Sequence, residues 1–474
     1  MDNKWKVFFL VGTSIFMSTL DSSIVNVALP FMMQDLKSDI QTIQWVVLSY
    51  LLTVSSLLLT FGRLSDVKGR KVVYVAGFGL FTAGSLFCGL AEAPLTLILA
   101  RSIQGVGASM LMACSPALIV DVFPAAERGR ALGMMGAVVA AGLTAGPVAG
   151  GIILEVLSWR YIFFINLPIG IAAVTGGMAL LSGNATARGS REPMDISGSV
   201  IFVLFLSSLI LLLTKLPEWG WGSARAFFTG GVSLAAGVGF VMNEKQTRFP
   251  LFDMQLLSIR LFVFPILSSA ILFAALFMII FMMPFFLTYA CGYPASTVGG
   301  IMIVPFLFLL VVSPVSGMMY DRFASRRLCM VGMALLAASL VSLVWLQPGD
   351  GKWPILWRIA LAGLGTAVFV SPNNTATMSS VPLERRGIAS GAVATARNMG
   401  MVLGVALAGL VFTFSFSGLS GGAILEGYQQ AMVPFFMISF KRVMIMGAVL
   451  ASVGLFITWA RGKEQVVPDK VRGT

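Results

Sequence analysis

Apolar runs long enough to cross a lipid bilayer recur along almost the whole of this 474-residue chain. A spanning α-helix needs roughly 20 mostly apolar residues. Runs of that kind lie near 8–30, 45–61, 72–90, 95–118, 131–155, 161–181, 196–214, 225–242, 261–289, 298–316, 328–346, 354–373, 390–414 and 442–460, fourteen in all. They are too long and too continuously apolar for the alternating strands of a membrane barrel. Composition points the same way. Only 11% of the residues are charged, against roughly 25% in a soluble domain. A soluble globular enzyme, a disordered chain and a secreted disulfide scaffold are thereby excluded. The chain has no histidine, so imidazole catalysis and histidine metal ligation are excluded too. The expected fold is all-α and polytopic. The first run is interrupted by Asp21 and ends Val27-Ala28-Leu29-Pro30 without a small-residue cleavage site, so it reads as a span rather than a signal peptide. A twelve-span reading would drop 196–214 and 225–242 together. Both are apolar and bracket a short turn at 215–222, so fourteen is preferred. The run 431–440 fits a re-entrant or interfacial piece.

The distribution of basic residues orients these spans. With an even number of spans, 22 of the 32 Lys and Arg residues fall on one side, at the termini and in alternate loops; seven fall on the other, and Arg101, Arg358 and Arg397 lie inside spans. Basic loops stay in the cytoplasm, so both termini are expected there, in a bacterial cytoplasmic (inner) membrane. The net charge of +12 is then a topology code, and nucleic-acid binding has no support. The four cysteines, at 88, 114, 291 and 329, have no metal spacing. They read as small apolar residues, with a Cys88–Cys291 disulfide left open. No phosphate-binding GxxxxGK[ST] element and no large soluble loop are present, which argues against ATP-driven transport by this chain alone. No cofactor and no metal are expected.

Two turns look alike. Gly62-Arg63-Leu64-Ser65-Asp66-Val67-Lys68-Gly69-Arg70-Lys71 follows the second span, and Gly317-Met318-Met319-Tyr320-Asp321-Arg322-Phe323-Ala324-Ser325-Arg326-Arg327 follows the tenth. Each has a glycine, an aspartate four residues later and then a basic cluster. Weak internal repetition is typical of transporters built from related halves. On these residues the chain resembles the major facilitator superfamily, and within it the 14-span drug:proton antiporter branch, the multidrug efflux pumps. The resemblance extends through an ordered set of motifs: Leu20–Pro30 in the first span, Arg101, Gln104, Gly105 and Gly107 in the fourth, Gly142–Gly151 in the fifth, and Trp159–Gly170 after it. Val67 departs from the pattern, where the family often has arginine. The resemblance implies two six-helix bundles, 1–181 and 257–474, with two further spans and loops in 182–256.

Several residues then become candidates for function. Asp21 lies near the middle of the first span, where a carboxylate is costly and usually faces a cavity or a partner. Low dielectric favours its neutral form, which suits reversible protonation; a packing role is the alternative. Glu155, near the end of the fifth span, either joins proton handling or solvates the helix end. Arg101 is expected to pair with a carboxylate or with carbonyls of the neighbouring fifth span, and the resemblance gives it a proton-coupling role. Gly142, Gly146, Pro147, Gly150 and Gly151 suit a tight, bendable contact between the halves. Gly62, Asp66, Gly69, Arg70 and Lys71, with Asp321 and Arg322 in the second turn, are expected to form ion-paired gates; positive-inside anchoring is the simpler alternative. Asn26, Tyr50, Asn166, Met282, Phe285 and Tyr289 are candidate cavity residues.

The function implied is alternating-access export of small amphipathic, often cationic compounds, driven by proton influx, in a chain that works as a monomer among membrane lipids and is not an enzyme. A cationic compound would compete with protons for Asp21 or Glu155. A dedicated exporter of an endogenous metabolite, siderophore or lipid-like molecule is the alternative, and a nontransporting membrane receptor or scaffold is a third.

Overall fold

The computed structural model describes residues 3–181, 195–247, 250–251, 254–320, 323–382, 386–421 and 430–462. Fourteen helices among them are long and apolar enough to cross a membrane. They are α1 (Asn3–Asp35), α2 (Ile40–Lys68), α3 (Arg70–Gly89), α4 (Pro94–Val122), α5 (Ala125–Val156), α6 (Tyr161–Leu180) and α7 (Ile196–Trp219). The remainder are α8 (Ala224–Gln246), α9 (Arg260–Ala290), α10 (Ala295–Met319), α11 (Ser325–Leu343), α12 (Lys352–Ser379), α13 (Arg386–Leu419) and α14 (Val433–Ala460). Number and order match the apolar runs, and α7 and α8 are both helical, so the twelve-span reading does not hold. Most helices extend past their apolar runs. At about 1.5 Å per residue, the 33 residues of α1 reach well beyond a hydrocarbon core about 30 Å thick. The run 431–440, expected as a re-entrant or interfacial piece, instead belongs to the start of α14.

Local chemistry sets the helix ends. Asp39 accepts the backbone N–H of Thr42 at the start of α2 (2.6 Å), and Asp195 accepts that of Gly198 at the start of α7 (2.8 Å). Such caps satisfy N–H groups that the first helical turn leaves unpaired. Gly69 has φ +93°, in the region that glycine enters without a Cβ penalty. It lets α2 stop and α3 start with no linker between them. Near the end of α9 the backbone passes into a π-turn over Phe286–Ala290, just after Pro284, whose ring removes one helical hydrogen bond.

The packing repeats with an offset of eight helices. α1 lies against α5, α2 against α4 and α3 against α4; equally, α9 lies against α13, α10 against α12 and α11 against α12. This is the three-dimensional form of the repetition read from the two turns. Between the halves, α2 packs on α13 and α5 on α10, with α1 touching α9. α7 pairs with α8 and bridges the α2–α13 seam. It is tied to α2 near both ends, where Gln41 Nε2 donates to the Thr214 carbonyl (2.9 Å) and Thr60 Oγ1 to Ser199 Oγ (2.9 Å).

We call the end where α1 begins the terminal end and the other the far end. The far end is closed. Tyr289 Oη on α9 donates to the Pro30 carbonyl on α1 (2.9 Å, buried). Gly151 of α5 leaves no room for a Cβ, which would meet the Ala295 carbonyl of α10 at 2.8 Å. Toward the terminal end, Gly129, Gly133 and Gly136 of the same helix have open space beside them.

Candidate functional site

The charged centre of the bundle is built on five helices of the first half. Asp21 (α1) is fully buried, and Arg101 (α4) is 1% exposed. Arg101 Nη1 donates to Asp21 Oδ2 at 2.5 Å and to Gln104 Oε1 at 2.6 Å, while its Nε donates to the Val46 carbonyl of α2 at 3.0 Å. Gln104 Nε2 donates to Asp21 Oδ1 (2.8 Å) and to Ser85 Oγ of α3 (2.8 Å). Asn166 Nδ2 of α6 donates to Asp21 Oδ1 at 3.3 Å and to Ser85 Oγ at 3.4 Å. The guanidinium lies over the Tyr50 ring, 4.2 Å from its centroid, with Phe163 at 5.7 Å on another side. Both oxygens of Asp21 are therefore occupied, and its charge is matched by one guanidinium. A buried ion pair is tolerated when its remaining lone pairs and protons are satisfied in this way.

The expected partners of these residues are partly revised. Arg101 does pair with a carboxylate, but the carbonyl it reaches belongs to α2, not to the fifth span. The reason is register: Arg101 and Gln104 are separated by three residues and share one face of α4, and that face looks at α1, α2 and α3. Tyr50 and Asn166, expected to line a substrate cavity, are committed to this network. Ser85 and Val46 carry no signal in the sequence, and Gln104 and Phe163 stand out only as motif residues. The spacing of Gln104 from Arg101 was the signal that could have found it. Glu155 is exposed at the end of α5 and makes no hydrogen bond or ion pair among the described residues. Asp21 packs level with Gly142–Gly146 of α5, so roughly ten residues, about 15 Å of helix rise, separate it from Glu155. The structure does not bring these two carboxylates together.

The other cavity candidates lie mostly in closed packing. Met282 and Phe285 are fully buried, and Tyr289 stacks on Phe285 and bonds to Pro30 at the far-end closure. Asn26 is buried, donating to the Ser22 carbonyl (2.7 Å) with its Oδ1 unpartnered. Cys88 and Cys291 are free thiols, so the open disulfide pairing is absent.

The glycines of α5 divide between two duties. Gly142, Gly146 and Gly150 form a stripe at intervals of four against α1, where a Cβ at Gly146 would meet the Ile24 nitrogen and the Leu20 carbonyl at 2.9 Å. This stripe sits within the first half. Contact with the other half falls to Gly151 and to the carbonyl of Pro147, which approaches Gly299 of α10. The expected contact between the halves is thus confined to one edge of the motif, because residues four apart share a face and their immediate neighbours point about 100° away.

At the terminal end, Arg70 pairs with Asp66 (3.4 Å) and with Asp121 at the end of α4, and donates to the Ala117 carbonyl (3.1 Å). Lys71 does not join an ion pair there; it donates to the Met178 carbonyl of α6 (2.8 Å). Gly62 has open space beside it. All these partners belong to the first half. Asp321 and Arg322 lie outside the described residues. At the far end, Asp35 accepts both Trp159 Nε1 and Arg160 Nη1 at 2.8 Å, tying the Trp159–Gly170 segment to α1.

Comparison with known proteins places this architecture. The sequence profile described as "Major Facilitator Superfamily" matches residues 11–405. The chain is 33% identical to the riboflavin transporter RibZ of Clostridioides difficile, over 86% of this chain and 88% of that protein. It is 31% identical to the multidrug resistance protein Stp of Mycobacterium tuberculosis, over 91% of this chain and 80% of that protein. Among solved structures, a bacterial homologue of the human lysosomal transporter Spinster, in an inward-facing and unoccupied conformation, superposes with a TM-score of 0.67 at 14% identity, covering 97% of each chain. That likeness is one of fold.

Proposed function

The chain belongs to the major facilitator superfamily, and from that membership we propose that it is a proton-coupled antiporter of the drug-efflux branch, exporting amphipathic organic compounds by alternating access. It is a fourteen-span secondary transporter of the bacterial cytoplasmic membrane. In this reading both termini are cytoplasmic, and residues 1–181 and 257–474 rock against each other with 182–256 carried at their seam. The protein works as a monomer. The far-end closure then makes the structure inward-facing.

The observation that carries the proposal is the Asp21–Arg101 pair. A carboxylate buried at membrane depth is the group that can take up and release a proton there. Both its oxygens are engaged, by Arg101, Gln104 and Asn166. A proton on Asp21 would neutralise the carboxylate and leave Arg101 without its counter-charge. Proton arrival from outside therefore loosens α1 from α4, and proton departure re-forms the pair. Because the five helices α1, α2, α3, α4 and α6 share the network, its making and breaking is a two-position element that a proton gradient can bias. The Arg70–Asp66–Asp121 cluster braces the cytoplasmic ends of α2, α3 and α4 as that half moves. Glu155, exposed at a helix end, takes no part in the coupling step.

Transport in proteoliposomes under an imposed pH gradient tests this. Wild-type protein is expected to move substrate against the proton flow, and Asp21→Asn to uncouple the two while Glu155→Gln leaves them coupled. Export that continues without any ion gradient, with no substrate-linked proton movement, refutes antiport. The similarity to a protein named as a riboflavin transporter supports a second reading, export of a single metabolite. Retention of activity across structurally unrelated compounds would exclude it.

A further inference from the structure

Three arginines lie inside the apolar runs, and two of them are spent on the protein itself. Arg101 is held by Asp21, Gln104 and Val46. Arg358 donates to the carbonyls of Ser342 (3.0 Å) and Pro354 (2.9 Å) and lies over the Trp357 ring. Arg397 differs. It makes no hydrogen bond, ion pair or ring contact with any described residue, and its Nε is buried without an acceptor. It stands eleven residues from the start of α13 at Arg386, about 16 Å along the helix axis. The side chain is partly buried. Its guanidinium is thus left without a hydrogen-bond acceptor or counter-charge among the described residues. Asn398, next to it, is 4% exposed with its Nδ2 lacking an acceptor, and the Thr395 hydroxyl is buried without a partner. Three donors within four residues of one helix are left unmet.

An uncompensated buried cation is unfavourable, and so are buried donors without acceptors. No ion pair among the described residues offsets this charge, and Asp21 is already matched by Arg101. α13 lies at the junction of the halves, against α2 on one side and α9 on another, where alternating access requires substrate to pass. A guanidinium presents paired N–H groups that fit a carboxylate or a similar oxygen pair, and low dielectric strengthens that contact. We propose that Arg397 and Asn398 form an anion-recognising subsite of the transport path, and that the preferred cargo is an apolar body bearing a carboxylate, an ionised phenol or a comparable electronegative edge. This rests on the exporter reading above. It departs from the cationic preference expected from sequence, which needed a carboxylate with a free oxygen.

The test is equilibrium binding to the purified full-length protein by fluorescence anisotropy, with no ion gradient. Fluorescein (carboxylate and phenolate) is compared with rhodamine 6G, an esterified cation on the same xanthene core. Wild type is expected to bind fluorescein roughly tenfold more tightly than rhodamine 6G, and Arg397→Gln to erase that preference by weakening fluorescein alone. Asn398→Ala is expected to weaken fluorescein severalfold. Arg397→Gln should melt at or above the wild-type temperature, because it removes an unpaired charge; a structural arginine would give a lower one. If that variant does not fold, Arg397→Lys carries the test, keeping the charge but losing the paired donors and part of the fluorescein affinity. Equal loss of both dyes, no loss of fluorescein binding, or no binding of fluorescein by wild type would each overturn the proposal. Failure of antiport in proteoliposomes leaves this binding difference untouched, so the two readings fail separately.

Discussion

Neutralising Asp21 alone should cost more stability than neutralising Asp21 and Arg101 together. Both side chains are buried, at 0% and 1% exposure, and the Nη1–Oδ2 separation is 2.5 Å. In Asp21→Asn the amide can still accept from Gln104 or Asn166, but Arg101 becomes a buried charge without a counter-charge. Removing one member of such a pair costs about 3–5 kcal/mol. In Arg101→Gln the stranded group is the carboxylate, which keeps its bonds from Gln104 and Asn166, so the loss should fall at the lower end of that range. The double variant leaves no buried charge, and replacing a whole pair with neutral groups is often close to neutral. The interaction energy of the cycle should therefore be about 6–8 kcal/mol in magnitude, far outside the roughly 0.5 kcal/mol within which independent sites add. Thermal unfolding of the detergent-solubilised protein, followed by tryptophan fluorescence, supplies the measurement. At roughly 2 °C per kcal/mol for a large chain, each single variant should melt several degrees low, with the double recovering most of the loss. A double variant as unstable as the sum of the two singles would refute the pairing on which the coupling proposal stands.

Two further outcomes follow from packing and exposure. Gly146→Ala should destabilise the protein by about 1–3 kcal/mol, because its Cβ would meet α1 backbone atoms at 2.9 Å; Gly136→Ala on the same helix, with open space beside it, should be neutral or slightly stabilising, and equal melting temperatures for the two would contradict the close α1–α5 contact. Of the four free cysteines, Cys291 alone is only partly buried, so a membrane-impermeant maleimide applied to intact cells should label one site per chain, at Cys291; labelling only after the membrane is opened would reverse the proposed orientation.

Sequence reading was most successful where its signal was cumulative. Each of the fourteen apolar runs independently requires a helix, since a backbone in lipid must satisfy its own hydrogen bonds, and the helices appear in the same order. The pairing of Asp21 with Arg101 was half visible: each is an expensive charge at membrane depth, and such charges seek partners. What was hidden is which helices bring the partners in. Asn166 looked like a cavity residue and proved to bond Asp21, and Lys71 looked like a gate residue and proved to hold Met178. Side-chain direction within a bundle depends on helix rotation, which apolar periodicity scarcely constrains when nearly every face of a span is apolar.

Taken alone, then, the sequence determined the architecture: fourteen helices, two related halves and a chain committed to the bilayer. These follow from length, apolarity and repetition, properties that act one segment at a time. The tertiary structure decided which charges are spent and which are free. Asp21 and Arg101 cancel each other inside the first half, Glu155 is left at an exposed helix end, and Arg397 has no partner among the described residues. That distinction could not be read along the chain, because the electrostatic cost of a buried charge is set by the atoms within a few ångströms of it, and those atoms come from helices distant in sequence.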